Sequence, residues 1–372
     1  MLRVKIFRLK EVLMKSCFWI SSIVFAYLFL MICLKFINVE SRSFAANIVD
    51  ETINYDINFS KGELNTKLIK EELGIKPVNK LSIGLIDKES DIMDKEYIEK
   101  ENIVNESIDY NKYIANDNIK IWDRPKSYIV NQLSSGKIQV GSTYVTNYID
   151  KKINLAELTK VSDFIINNDT KILIVHTHTS EGYSESGLAT NFRTLDDTMN
   201  VVSVGNILKQ NLVAKNFMVK HSIKKHDTPS YNGSYSACLK TIEEEFKNNE
   251  YDIVLDLHRD ALSSNLNYRP TVEINGESVA KLMFVVGTND SGLSHAGWME
   301  NLKLALLIQN TANEMYPGLF RDLTLSKSRY NQHVCSGALI LEVGATGNTL
   351  DEVWNSMKYF ANVLEALKTK SE

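Results

Sequence analysis

From residue 137 onward, apolar positions fall into short blocks of two kinds. Residues 137–148 (KIQVGSTYVTNY) alternate and are rich in β-branched side chains, as a strand or hairpin is. The runs at 171–175 (KILIV), 251–257 (YDIVLDL), 281–286 (KLMFVV) and 338–343 (ALILEV) are short and continuously apolar. Buried strands carry that pattern, and 217–221 is a further strand candidate. Between them, 199–212, 235–246, 298–315 and 350–367 repeat apolar residues at helical spacing, for example Leu302, Ala305, Leu306, Ile308 and Ala312. Strands alternating with helices predict a three-layer α/β fold around a mixed, mostly parallel sheet. The domain is expected at 135–372, with lead-in strands before the alternating series and an adequate core from about residue 165.

The front of the chain follows neither pattern. Residues 1–16 carry Arg3, Lys5, Arg8, Lys10 and Lys15 against the single acid Glu11. Residues 17–34 (CFWISSIVFAYLFLMICL) carry no charge at all. Eighteen helical residues span ~27 Å, and Phe36 and Ile37 extend them toward the ~30 Å of a hydrocarbon core. The expectation is a basic cytoplasmic tail at 1–16 and a transmembrane anchor at 17–38, with the remainder exported by the positive-inside rule. A cleaved signal peptide is the rival reading, with Phe44-Ala45-Ala46 as its cleavage site. The apolar run, however, exceeds the ~7–15 residues of a signal h-region. Residues 39–134 are rich in Asn, Asp, Glu, Lys and Ile and show no sustained apolar face over 87–118. They read as a partly disordered spacer, with a short helix at 62–73; a solvated charged helix is the alternative.

Composition adds two exclusions. At 44% hydrophobic and 24% charged residues, the chain is not collagen-like, wholly disordered or a coiled coil. Forty-two basic against 46 acidic residues give a net charge of −4, which argues against nucleic acid as a partner. Of four cysteines, Cys17 and Cys33 fall in the apolar span. Cys238 and Cys335 read as apolar packing residues rather than a bridge.

Ligands of open α/β sheets gather at the carboxyl ends of strands, and three expected strands end in reactive residues. The first gives His176-Thr177-His178-Thr179-Ser180-Glu181, the second Asp256-Leu257-His258-Arg259-Asp260, the third Glu342. His178 and Glu181, at an His-x-x-Glu spacing, together with His258 make a candidate zinc-ligand set of two imidazoles and a carboxylate. Zn²⁺ acidifies bound water, and a separate carboxylate must then carry the proton. Glu342, ending an apolar strand, is the catalytic candidate. His176 is expected to contact substrate or support a ligand, and Asp256 to orient an imidazole. Arg259 either holds a substrate carboxylate or pairs with Asp260. Asp196 and Asp197 are reserve ligands should Glu181 not serve, although acids before a helix also complement its dipole. His221, His226, His295 and His333 read as structural.

The blocks HTHTSEGY (176–183), TMNVVSVGNIL (198–208), HDTPSYNGSYSAC (226–238), DLHRDA (256–261), FVVGTN (284–289), YNQ (330–332) and LEVGATGNTLDE (341–352) resemble, in this order, the stage II sporulation protein P family. The resemblance covers roughly 135–372, and the anchor and spacer match it too. It implies a fold of the zinc-amidase, phosphorylase/hydrolase-like type, with His178 and His258 as zinc ligands and Glu342 as catalytic acid. It departs at the middle ligand: related amidases place a Glu before the first helix, where Asp196-Asp197 stand here. Glu181 instead is similar to the ligand spacing of zinc carboxypeptidases. The implied function is a membrane-anchored N-acetylmuramoyl-L-alanine amidase, with endopeptidase activity also credited to the family. It would act on peptidoglycan during septal wall thinning and engulfment in sporulation, facing outward from the mother-cell membrane on the forespore septum side. Its implied partners are the stage II sporulation proteins D and M. Two alternatives remain, a carboxypeptidase-like peptidase and a catalytically dead wall-binding scaffold.

Overall fold

The structure is a computed structural model that describes residues 111–115, 119–187, 190–262, 265 and 267–369. The tail at 1–16, the anchor at 17–38 and most of the spacer lie outside the described residues. Among the described residues no helix is long and apolar enough to cross a membrane.

Eleven strands and four long helices follow one another. The strands are β1 (Val130–Gln132), β2 (Ile138–Val140), β3 (Thr143–Asn147), β4 (Lys171–Val175), β5 (Met218–His221), β6 (Ile253–Asp260), β7 (Thr271–Ile274), β8 (Glu277–Ala280), β9 (Leu282–Gly287), β10 (Leu323–Ser326) and β11 (Ala338–Ala345). The helices are α1 (Val201–Ala214), α2 (Ser234–Asn248), α3 (Trp298–Met315) and α4 (Leu350–Ala366). Nine strands form one sheet in the order β1-β2-β3-β10-β9-β11-β6-β4-β5. From β3 across to β5 every neighbouring pair is parallel except β9–β11, so the sheet is mixed and mostly parallel, as the alternating pattern predicts.

Helix starts follow local chemistry. Asn200 caps α1 by accepting the Val202 amide, and Thr349 with Glu352 closes a capping box on α4. Alternate residues of the central strands divide between two faces. Ile172, Ile174, Ile253, Leu255, Leu257, Leu339 and Leu341 enter the large core, which is covered by α1, α4 and α3 lying side by side. Leu173, Val175, Val254 and Ala338 face the other way and meet Cys238 and Ile242 of α2. On this face α2 packs against the middle of the strands, and its first turn reaches the strand termini, where His178, Asp256 and His258 are buried.

Three elements go beyond those expected. The β7/β8 hairpin turns on Asn275-Gly276, both with positive φ, a dipeptide suited to a two-residue turn whose twist matches the strands. β10 is four residues long and inserts between β3 and β9. Residues 111–134, expected as the end of the spacer, include β1 and the buried Tyr113. Tyr113 meets Trp354 edge-on at 5.1 Å and bonds Asp351 of α4.

Candidate functional site

The polar strand ends collect on the face that α2 covers. Glu342 stands opposite His258 in the β11–β6 register, and Val175 opposite Asp256 in β4–β6. Parallel neighbours in register project to one side, so Asp256, His258 and Glu342 share the α2 face.

After β4 the chain turns sharply, and two carboxylates from elsewhere satisfy its polar groups. Asp256 accepts the Thr177 amide at 2.8 Å and its hydroxyl at 2.6 Å. Asp227 accepts the Thr179 hydroxyl at 2.8 Å and both the amide and hydroxyl of Ser180. Fixed in this way, His178 and Glu181 face β6. The rings of His178 and His258 meet at 5.3 Å and 80°. His258 Nδ1 lies 3.5 Å from Glu181 Oε2. His258 Nε2 lies 3.1 Å from Asp256 Oδ1, at an angle that leaves it without a hydrogen bond.

Burial sets the charges here. It lowers the His178 imidazole to about 4. It would lower His258 too, but the carboxylates of Asp256 and Glu181 overcome it and hold that imidazole well above its ordinary value. Burial pushes Glu181 and Asp256 up, yet the neighbouring His258 brings each down to about 2. For Glu342 burial prevails over the pull of His258 and raises it to about 8. The residue as a whole is half-buried, whereas its Oε2 is buried and makes no hydrogen bond among the described residues.

The remaining candidates divide. Asp256 lies where an orienting carboxylate was expected. His176 does not reach substrate: it is 0% exposed, with Nδ1 donating to Leu257 O and Nε2 2.7 Å from His221 Nε2. It supports β4 from behind. Both expectations for Arg259 are corrected. Its guanidinium is buried on the carbonyls of Gly182 and Phe192, at 2.8 and 3.2 Å, and its amide donates to Glu181 Oε2. Charge buried against backbone carbonyls pins the loop; it is not free for a ligand. Asp260 pairs with Arg321 instead, at 2.7 Å. Asp196 is exposed and caps Thr198, and Asp197 pairs with Lys225 at 2.8 Å, so Glu181 is the carboxylate brought to His258.

Several residues at the site were not singled out from the sequence. Tyr231 stacks on His178 at 4.3 Å and 7°, and the Ser234 hydroxyl is 3.2 Å from His178 Nδ1. Tyr235 lies against both imidazoles. Arg193 lies over Tyr231 at 4.8 Å, pairs with Asp227 at 3.3 Å and approaches Glu181 at 3.7 Å. Tyr231, Ser234 and Tyr235 fall inside the block at 226–238, but their spacing carries no ligand signature by itself.

Two imidazoles with carboxylates are donors that suit a zinc-type cation; Asp256 faces His258 Nε2 and Glu181 faces its Nδ1, and Glu342 Oε2 is buried without a hydrogen bond among the described residues. Among the described residues no three such side chains already stand as a closed metal cage. The donor set fits in chemistry, with His258 and Glu181 held by one another.

An α/β domain with an imidazole–carboxylate cluster at the carboxyl edge of its sheet is the class that fold and site define. The family model of stage II sporulation protein P matches residues 66–365, and the chain belongs to that family. A curated relative, stage II sporulation protein P of Bacillus subtilis (strain 168), is 26% identical over 250 residues, covering 60% of each chain. The match therefore spans less than two thirds of that relative's length. Among solved structures, the N-acetylmuramoyl-L-alanine amidase AmiC2 of Nostoc punctiforme is 12% identical with a TM-score of 0.32, over 53% of this chain and 94% of that one. The CwlD amidase of Clostridioides difficile, solved in complex with the GerS lipoprotein, is 10% identical with a TM-score of 0.35, over 53% and 95%.

Proposed function

We propose that the chain is a membrane-anchored, zinc-dependent peptidoglycan hydrolase that cleaves the amide between N-acetylmuramic acid and the L-alanine of the stem peptide. It acts outside the membrane, in septal wall degradation and engulfment, alongside the stage II sporulation proteins D and M. The observation that carries this reading is the meeting of His178, Glu181, His258 and Glu342 at the carboxyl edge of the sheet. Membership of the sporulation family supports the setting.

His178, Glu181 and His258 would hold the cation. When bound, such an ion acidifies water and polarises a carbonyl. The chain's own residues do the rest. Asp256 and Ser234 hold the two imidazoles in orientation. Glu342 takes the proton of the attacking water and returns it to the departing nitrogen. Tyr231 stacks over His178 and screens that imidazole from bulk water. Arg259 and Asp227 keep the 177–193 loop from shifting under load.

A carboxypeptidase-like peptidase is the second reading, favoured by the place of Glu181 beside His258 rather than of Asp196 or Asp197. Mass spectrometry of the fragments released from purified sacculi by the full chain tests both. Stem peptides with a new L-alanine amino terminus are the expected product. Release of single carboxy-terminal amino acids instead would favour the second reading, and no release at all would leave a scaffold.

A further inference from the structure

Tyr235 has no part in the mechanism above, yet no other aromatic residue meets both candidate ligand imidazoles among the described contacts. Its ring faces His258 at 6.3 Å and 18° and meets His178 edge-on at 5.5 Å. Tyr330 closes its outer side at 5.5 Å. The residue is fixed by its backbone: Asn331 Nδ2 donates to Tyr235 O at 2.9 Å. Beyond burial, the groups that act on its hydroxyl are Asp256, Tyr330, Glu342 and Glu181, and the three carboxylates among them ring the cluster. A phenol is protonated at neutral pH, so among these carboxylates and imidazoles Tyr235 brings a hydroxyl donor. Arg259, on the neighbouring strand position, is spent on backbone carbonyls.

We propose, resting on the hydrolase reading, that Tyr235 is a catalytic residue whose hydroxyl donates a hydrogen bond to the carbonyl oxygen of the scissile amide. As the water oxygen bonds to the carbonyl carbon, the π pair moves onto that oxygen and the water proton passes to Glu342. The Tyr235 hydroxyl steadies the developing negative charge without giving up its proton. Collapse then reforms the carbonyl and breaks the C–N bond, and Glu342 delivers its proton to the nitrogen. Tyr235 leaves the cycle unchanged. Donors aimed at developing charge contribute through the transition state and little through ground-state binding.

The test compares the full chain with Tyr235→Phe, which keeps the ring between the imidazoles and removes only the hydroxyl. Zinc content and melting temperature are expected to match the parent. kcat on muropeptide is expected to fall about 10²–10³-fold, the loss typical of one such donor, with KM little changed. Affinity for a phosphinate analogue of the tetrahedral species falls in parallel, whereas affinity for uncleaved substrate, measured in a Glu342→Gln background, does not. A packing role alone predicts unchanged kcat and unchanged analogue affinity in Tyr235→Phe, and that result overturns the proposal. If the parent itself releases nothing from sacculi, the hydrolase reading fails and this proposal with it. Parent activity with an equally active variant removes the proposal alone. Should Tyr235→Phe fail to fold, 3-fluorotyrosine at 235 keeps the packing and strengthens the donor; kcat then rises, and an unchanged kcat overturns the assignment.

Discussion

Replacing Gly205 by alanine sets two ordinary effects against each other. In a helix interior the change normally stabilises by about 1 kcal/mol. Gly205 lies in the first turns of α1, and behind it lies the buried imidazole pair. A Cβ there would stand 2.5 Å from His221 Nε2 and 2.9 Å from His176 Nε2. Neither ring can retreat cheaply. His176 donates through Nδ1 to Leu257 O, its Nε2 lies 2.7 Å from His221 Nε2, and His221 Nδ1 lies 3.0 Å from Asn206 Oδ1. Overpacking a full core costs about 1–3 kcal/mol, and parting a buried donor from its acceptor about 1–3 more. Less the helix gain, the net loss centres near 3 kcal/mol. For a domain of this size that is a fall of roughly 6–12 °C in melting temperature. Scanning calorimetry on the single variant and on Gly205→Ala/His221→Ala measures it, because removing the ring relieves the clash and should give a coupling of ~1 kcal/mol or more. A melting temperature that rises in Gly205→Ala would show that helix propensity prevails, and would refute the account of the pair.

The other expectations concern the site and the helix cap. His178→Ala and His258→Ala should each lose zinc, read by elemental analysis, since each removes one of three protein donors; full occupancy in either excludes that residue as a ligand. Glu181→Ala should do the same and Asp196→Ala should not. Glu342→Gln should keep zinc and fold but lose ~10²–10⁴-fold in turnover, with an unchanged or higher melting temperature, since a buried carboxyl without a partner is relieved; appreciable activity sinks its role. Glu352 is drawn the other way: burial would raise it, but hydrogen bonds from Arg269, Asn348, Ser278 and the Thr349 amide bring it down to about 2. A depressed carboxyl stabilises above its unfolded pKa of about 4.5 and loses that contribution as pH falls toward 2. Melting temperature should therefore drop more steeply below pH 5 in the parent than in Glu352→Gln, and parallel curves would contradict the cap's electrostatic role.

The sequence by itself determined the elements whose signal is local. Continuous apolar runs such as KILIV and ALIL are buried strands because every side chain on them has to leave water. The helical repeats at 199–212 and 298–315 predict helices close to the observed Val201–Ala214 and Trp298–Met315. The convergence of three strand ends was also legible, because a parallel sheet brings carboxyl termini to one edge. It placed His178, Glu181, His258 and Glu342 together without any coordinate. What the sequence left open depends on contacts between distant segments. Whether Glu181 or Asp196 and Asp197 approach His258 was decided by the Arg259 guanidinium on Gly182 and Phe192, 67 to 77 residues away in the chain. Arg259 and Asp260 are adjacent and look paired, yet successive strand residues point to opposite faces, so each found its partner across the sheet. Tyr231 and Tyr235 reached the imidazoles because the start of α2 packs over the strand ends. Periodicity records which side of an element is buried, and says nothing of which polar groups meet once it is; that choice belongs to the tertiary structure.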